Sequence, residues 1–285
     1  MAGNSIGKFQ VVGTLGTGAH STILHIRRNA DSKHYALKVV PIGGPEDAKF
    51  LEQAQHEFEV ARLLDHPNLI KIYHLEAQRD WLFRTRKVLL LIEYVNGRTL
   101  DTFKVIPVPK LVQVFERVAR ALVHMHRRNV FHADLKPNNV MLSKAADVKI
   151  IDYGLAWIKG QHKGRIQGTP EYMAPETVSH HVVNERTDIY NFGATMYRLV
   201  TFRLPPSPVP VGGLAPDART WEKLLKPVHE CNAEAPPALC DLIHRCVQFD
   251  ANRRPERMSE VQGALDHLAE QLVRRPEDRL EAMEW

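Results

Sequence analysis

Between residues 9 and 40, apolar and polar positions alternate in three short runs: FQVVGTLG, STILHIR and HYALKVV. Each is rich in β-branched or apolar residues, and NADSK between two of them is turn chemistry. A period of two predicts three strands. The period then changes. In EDAKFLEQAQHEFEVARLLDHPN, Phe50, Ala54, Phe58, Ala61 and Leu64 recur at helical spacing on one face, and Pro67 with Asn68 ends the run. LIKIYHLEAQ and KVLLLIEYV return to the strand pattern. Five strands and one helix therefore predict a small first lobe over residues 9–95. Beyond Asn96-Gly97 the pattern is mainly helical, with helices expected near 110–128, 185–201, 218–228, 236–248 and 258–273. Short strands flank a polar stretch at 131–141, and RLPPSPVPVGGLAP reads as a loop. The result is a larger, mainly α-helical second lobe over 96–272, followed by a tail at 273–285.

Composition narrows this picture without changing it. The chain has 285 residues, 44% hydrophobic and 25% charged, enough to build one domain of two lobes. Its net charge of +5 is spread without a run of five like charges, so a solvated surface is expected rather than a nucleic-acid interface. An anionic ligand such as a nucleotide is compatible with that balance. Three cysteines, Cys231, Cys240 and Cys246, lack metal-site spacing and fit a reduced, cytoplasmic protein. MAGNSIGKFQ carries no charged-then-apolar leader, and the longest apolar run, near VLLLIEYV, is too short to span a bilayer. No membrane segment is expected within the chain; a membrane tether is compatible with it if the protein continues past Trp285.

Several stretches carry chemistry. In LGTGAHSTI, Gly16 and Gly18 bracket a turn between two strands, where missing side chains let backbone N–H groups approach phosphate. Lys38, in YALKVV, points opposite to Leu37 and Val39 by strand alternation. Glu57 lies inside the apolar stripe of the helix, between Ala54 and Ala61 in register, whereas Glu59 points away. A carboxylate there requires a partner, because an unpaired buried charge is costly, and a Lys38–Glu57 pair is expected. FHADLKPNNVM holds Asp134, Lys136 and Asn139, and DVKIIDYGLA delivers Asp152 into a turn at Gly154. Asp134, Asn139 and Asp152 offer oxygen ligands suited to Mg²⁺, a hard cation. GTPEYMAPE follows at 168–176.

In this order and spacing the motifs resemble those of the eukaryotic-type serine/threonine protein kinases, in overall style the bacterial members. The resemblance runs through Gly16 and Gly18, Lys38, Glu57, His132-Ala133-Asp134 with Asn139, Asp152-Tyr153-Gly154 and Ala174-Pro175-Glu176, over residues 9–272. It implies an α+β, bilobal protein-kinase-like fold: a small five-stranded antiparallel β lobe with one main helix, and a larger helical lobe. It implies ATP with Mg²⁺, or Mn²⁺ in its place, and protein substrates with Ser or Thr acceptors. By resemblance Asp134 is the base for the substrate hydroxyl, Lys136 stabilises the transferring phosphoryl, and Thr169 supports both. Asn139 and Asp152 hold the metal, and Lys38, aimed by Glu57, grips the other phosphates. Leu15, Ile23 and Ala36 cover adenine from above and Met141 from below. Ile92 matches the gatekeeper, and the backbone of Glu93 and Val95 meets adenine. Asp188 resembles the aspartate that holds the catalytic-loop backbone, and Glu176 with Arg254 an ion pair bracing the second lobe.

Two departures bear on control. Ala133 replaces the arginine that in the family meets a phosphate on the activation loop. Residues 155–168, LAWIKGQHKGRIQG, contain no Ser, Thr or Tyr. Together they lead to the expectation of an enzyme not switched by phosphorylation of that loop. Tyr153 stands for the family's phenylalanine, and Ala61 is small where a Leu or Met packs. Either the helix seats loosely, with a homodimer contact or activating partner completing it, or a neighbouring side chain fills the gap. The alternative to an active kinase is an ATP-binding pseudokinase scaffold. A small-molecule kinase is disfavoured by GTPEYMAPE and Arg254, and a nucleic-acid binder has only the charge in its favour.

Overall fold

The computed structural model describes residues 5–18, 20–161, 167–209 and 216–272, so the expected tail at 273–285 lies outside the described residues, as does part of the Pro/Gly-rich loop. The chain divides into two compact units. One comprises residues 1–65, 69–96 and 152–154; the other comprises 66–68, 97–151 and 155–285.

The first unit is built on strands β1 (Ser5–Ile6), β2 (Phe9–Thr17), β3 (Thr22–Arg28) and β4 (His34–Pro41), helix α1 (Ala48–Arg62), and strands β5 (Ile72–Arg79) and β6 (Thr85–Glu93). Among the described residues they form one antiparallel sheet in the order β1-β2-β3-β4-β6-β5. The sheet has one strand more than expected, because two residues at the N-terminal edge pair with Gln10 and Phe9. Register fixes its two faces. Ile23, Lys38 and Leu90 align across three strands, as do His25, Ala36 and Ile92. The alternate positions Ile26, Leu37 and Leu89 form a core on the other face. Helix α1 is shorter than its pattern, since Pro45–Asp47 forms a 3₁₀ turn before it. It buries Ala54, Glu57, Val60 and Ala61, while Phe50, Phe58 and Leu64 are only half covered.

The second unit contains β7 (Gly97–Thr99), α2 (Val108–His126), β8 (Val130–Phe131), β9 (Val140–Ser143), β10 (Val148–Ile150), β11 (Trp157–Ile158), α3 (Pro175–His180), α4 (Glu185–Thr201), α5 (Ala218–Leu224), α6 (Val228–Cys231), α7 (Pro237–Cys246) and α8 (Met258–Leu272). The amphipathic α2 and the almost wholly buried α4 form its centre. Asn184 starts α4 with a capping box, accepting from the Arg186 and Thr187 N–H groups while Thr187 returns a bond to the Asn184 N–H. Strands β7, β9 and β10 form a small sheet, and β11 pairs with β8, so the segments on both sides of 132–139 are held by strand pairing.

Candidate active site

In the first unit, β2 and β3 close a hairpin in which Gly16 faces Ile23 and Thr17 faces Thr22. The Gly18 N–H donates to the Ser21 carbonyl at 2.8 Å. That amide is spent on the turn, so Gly18 shapes the hairpin instead of presenting an open donor. Gly16 leaves space: a Cβ added there would meet no atom within 4 Å. Leu15 is exposed, Ile23 half-buried, and Ala36 and Ile92 are buried cross-strand partners. At the end of β6 the Glu93 N–H donates to the Lys71 carbonyl at 2.8 Å, so what its backbone can offer a ligand is a carbonyl acceptor. Val95 follows, half-buried.

Lys38 and Glu57 meet across the sheet–helix contact. Lys38 Nζ donates to Glu57 Oε2 at 2.6 Å, and Glu57 is 3% exposed. Burial pulls the Lys38 ammonium down, but the Glu57 and Asp152 carboxylates outweigh it and hold the lysine charged. Asp152 Oδ1 in turn accepts the Gly154 N–H at 2.8 Å. A Cβ at 154 would come within 2.9 Å of Gln53 Nε2 and 3.2 Å of Asp152 Oδ1, so a larger residue there would push on both side chains. Tyr153 is fully buried and its hydroxyl donates to the Ile70 carbonyl at 2.9 Å. Ala61 is buried as well. In this arrangement Glu57 is enclosed and paired, and the hydroxyl that distinguishes Tyr153 from phenylalanine ties that residue to Ile70.

In the second unit, the loop between β8 and β9 gathers Asp134, Lys136 and Asn139, and Thr169 joins them from downstream. The Thr169 N–H donates to Asp134 Oδ1 at 2.8 Å, and Lys136 Nζ lies 3.0 Å from Asp134 Oδ2 and 2.5 Å from Thr169 Oγ1. Asn139 Nδ2 donates to the Asp134 carbonyl at 2.8 Å, fixing which end of its amide carries the remaining oxygen. Met141, half-buried on β9, pairs with Thr99 and Lys149. A buried carboxylate held by an N–H and an ammonium is positioned to accept a proton from a hydroxyl.

The loop itself hangs on Asp188. Its Oδ2 accepts the His132 N–H and its Oδ1 the Ala133 N–H, both at 2.8 Å, which holds Ala133 at a φ of 64°. Behind Asp188 stands a residue that the sequence pattern did not single out. His126 Nε2 lies 2.8 Å from Asp188 Oδ2, and Nδ1 lies 3.3 Å from Glu185 Oε1. Burial lowers the imidazole's affinity for a proton, but the hydrogen bond to Asp188 and the nearby Glu185 carboxylate overcome it and push the pKa up to about 9. The Ala133 methyl is buried with Phe131 and Val183, and Trp157 packs on this cluster, its ring 5.7 Å from that of Phe131. Farther away, Arg254 Nη1 and Nη2 donate to the two Glu176 oxygens at 2.7 and 2.8 Å.

The protein kinase domain family matches residues 9–268. The chain belongs to the protein kinase family. The kinase is 25% identical to the serine/threonine-protein kinase PrkC of Bacillus subtilis over 70% of its own length and 31% of that protein's. It is 27% identical to the serine/threonine-protein kinase pkn2 of Myxococcus xanthus over 91% of its length and 32% of the relative's. It is 26% identical to CBL-interacting protein kinase 1 of Oryza sativa over 92% and 56%. The first two carry serine/threonine-protein kinase names, and the chain's aligned part spans about a third to just over half of the length of the three. Among the described residues no helix of the kinase is long and apolar enough to cross a membrane.

Proposed function

We propose that this kinase transfers the terminal phosphoryl group of ATP to serine and threonine hydroxyls of protein substrates, with Asp134 as the base. The observation that carries the reading is the Asp134–Lys136–Thr169 cluster, in which one buried carboxylate is fixed by a backbone N–H and an ammonium. Asp134 accepts the proton as the substrate oxygen bonds to phosphorus and the bond to the departing diphosphate breaks. Lys136 offsets the charge that develops on the moving group. Lys38, charged and held by Glu57, grips the phosphates that stay behind, and the space over Gly16 suits a phosphate approaching the hairpin. Asn139 and Asp152 carry the oxygen ligands that would hold Mg²⁺ or Mn²⁺, and the ion would neutralise phosphate charge. Ile23, Ala36 and Ile92 supply apolar surface for adenine, as does Met141.

Control is part of the proposal. With Ala133 packed under Trp157 and no hydroxyl in residues 155–168, the enzyme works without phosphorylation of that loop. With Glu57 already paired, one chain suffices; specific activity that climbed with concentration would favour the homodimer or activating partner instead. Three free thiols, two of them buried, fit a reducing, cytoplasmic setting.

Labelled ATP, an acceptor protein and mass spectrometry of the products test the reading. Asp134→Asn should lower transfer by about a hundredfold or more while Mg-ATP still raises the thermal midpoint. Undiminished transfer would remove Asp134 from its role. A wild type that binds Mg-ATP without transferring phosphate would establish the pseudokinase alternative. Activity lost to phosphatase, with the phosphate mapped to 155–168, would refute the account of control.

A further inference from the structure

The hairpin joining β5 to β6 ends in three consecutive apolar residues that face solvent. Trp81 is 85% exposed, Leu82 45% and Phe83 81%. Single exposed apolar residues need no explanation, but a run containing two large aromatic rings does. The turn is not a slack loop. Asp80 Oδ1 accepts the Leu82 and Arg84 N–H groups at 2.9 and 3.0 Å, Oδ2 accepts from Arg86 Nε at 2.9 Å, and the Phe83 N–H donates to the Asp80 carbonyl at 3.0 Å. Phe83 is held at a φ of 60°, a conformation that disfavours residues with a side chain. One carboxylate thus fastens the turn with the aromatic pair outward, so little ordering remains to be done when the tip meets something.

Charge says what it meets. Residues 79–87, RDWLFRTRK, hold four cationic side chains against the single carboxylate Asp80. Asp80 and Arg86 engage each other within the turn, which leaves Arg79 and Arg84 at the ends of the strands beside the aromatic tip and Lys87 farther along β6. Tryptophan and phenylalanine beside arginine and lysine is the pattern of segments that lie in the boundary of an anionic bilayer. A protein pocket would require the tip to be matched in shape. A lipid headgroup layer requires only apolar rings that enter it and cations that remain at its surface.

We propose that the Trp81–Phe83 tip docks the kinase on an anionic lipid surface, independently of its catalytic reading. Each cation near such a surface contributes roughly fivefold in binding, so Arg79, Arg84 and Lys87 together predict about a hundredfold preference for anionic over neutral vesicles at low salt. The test is co-sedimentation of the chain with phosphatidylcholine vesicles, with or without phosphatidylserine. The wild type should bind the phosphatidylserine vesicles and release with added salt. Trp81→Ala with Phe83→Ala should weaken binding at least about tenfold. Arg84→Gln with Lys87→Gln should weaken it roughly twentyfold. Both pairs should leave the thermal midpoint and phosphate transfer in solution unchanged, since Trp81, Phe83 and Arg84 are exposed, Lys87 is half-buried on β6, and all four lie outside the catalytic cluster. Failure of the wild type to bind at low salt overturns the proposal, as does equal binding by the aromatic variant. Self-association without lipid that the same substitutions abolish would also overturn it, and would assign the tip to a second copy of the chain.

Discussion

Replacing His126 by glutamine should flatten the kinase's stability between pH 6.5 and 9. Both ring nitrogens of His126 face carboxylate oxygens, Asp188 Oδ2 at 2.8 Å and Glu185 Oε1 at 3.3 Å, so the folded state favours the doubly protonated ring. The folded pKa of about 9 lies above the ordinary histidine value of 6.5. A raised pKa means that the stabilisation is fully present below 6.5 and is lost as the pH rises through about 9. At about 1.36 kcal/mol per pH unit, that interval amounts to roughly 3 kcal/mol. For a body of about 150–250 residues this corresponds to a fall of roughly 6–12 °C in thermal midpoint. Calorimetry across this pH range on wild type and His126→Gln measures it, because glutamine keeps a donor but cannot titrate. Glu116, whose carboxyl burial raises to about 7, also loses stabilisation with rising pH, but below that value, and it is common to both proteins. Parallel pH curves for the two proteins would show that His126 is neutral when folded and that Asp188 is organised without it.

Three further outcomes are expected. Arg254→Met should cost roughly 3–5 kcal/mol by urea unfolding, because it strands the Glu176 carboxylate, and adding Glu176→Gln should recover part of the loss. Gly193→Ala places a Cβ 2.5 Å from that of Cys246 and 3.0 Å from Val247 Cγ1. The resulting overpacking, roughly 1–3 kcal/mol, should exceed the helical gain of about 1 kcal/mol and lower the urea midpoint. Tyr153→Phe, although it restores the family's usual residue, should lower stability by about 1–2 kcal/mol by removing the donor to the buried Ile70 carbonyl, a loss that thermal melts would register.

Much of the architecture was legible because it repeats. Strand alternation put Lys38 opposite Leu37, and helical register put Glu57 in the buried stripe, so their pairing could be read from spacing and the cost of burying charge. Helix α4 shows the same: a long run opened by a strong cap is visible in the sequence. What stayed hidden has no period. Helices α3 and α6 are too short to express one, and β1 is two residues at a sheet edge. His126 closes an ordinary amphipathic helix, and nothing local announces the carboxylates of α4 that meet both its nitrogens. Trp157 and Ala133 come together only through the β8–β11 pairing, a contact set by tertiary structure.

That pairing changes how Ala133 is understood. An arginine there would wait for an anion supplied after folding. In this chain the ordering groups are already present. Left-handed backbone at a residue with a side chain costs roughly 1–2 kcal/mol. Against this, Asp188 accepts the N–H groups of both His132 and Ala133, and hydrogen bonds to a charged acceptor are worth about 1.5–3 kcal/mol each. The balance favours the ordered loop before any modification occurs. The methyl group then has an apolar site among Phe131, Val183 and Trp157, where an unpaired guanidinium would have to find its way to solvent. Position 133 therefore couples the catalytic loop to β11 through packing, and Asp188 couples it to His126 through charge. On this reading the loop should lose its order along with the fold of its own unit, under alkaline conditions that discharge His126, which circular dichroism across the same pH range would register.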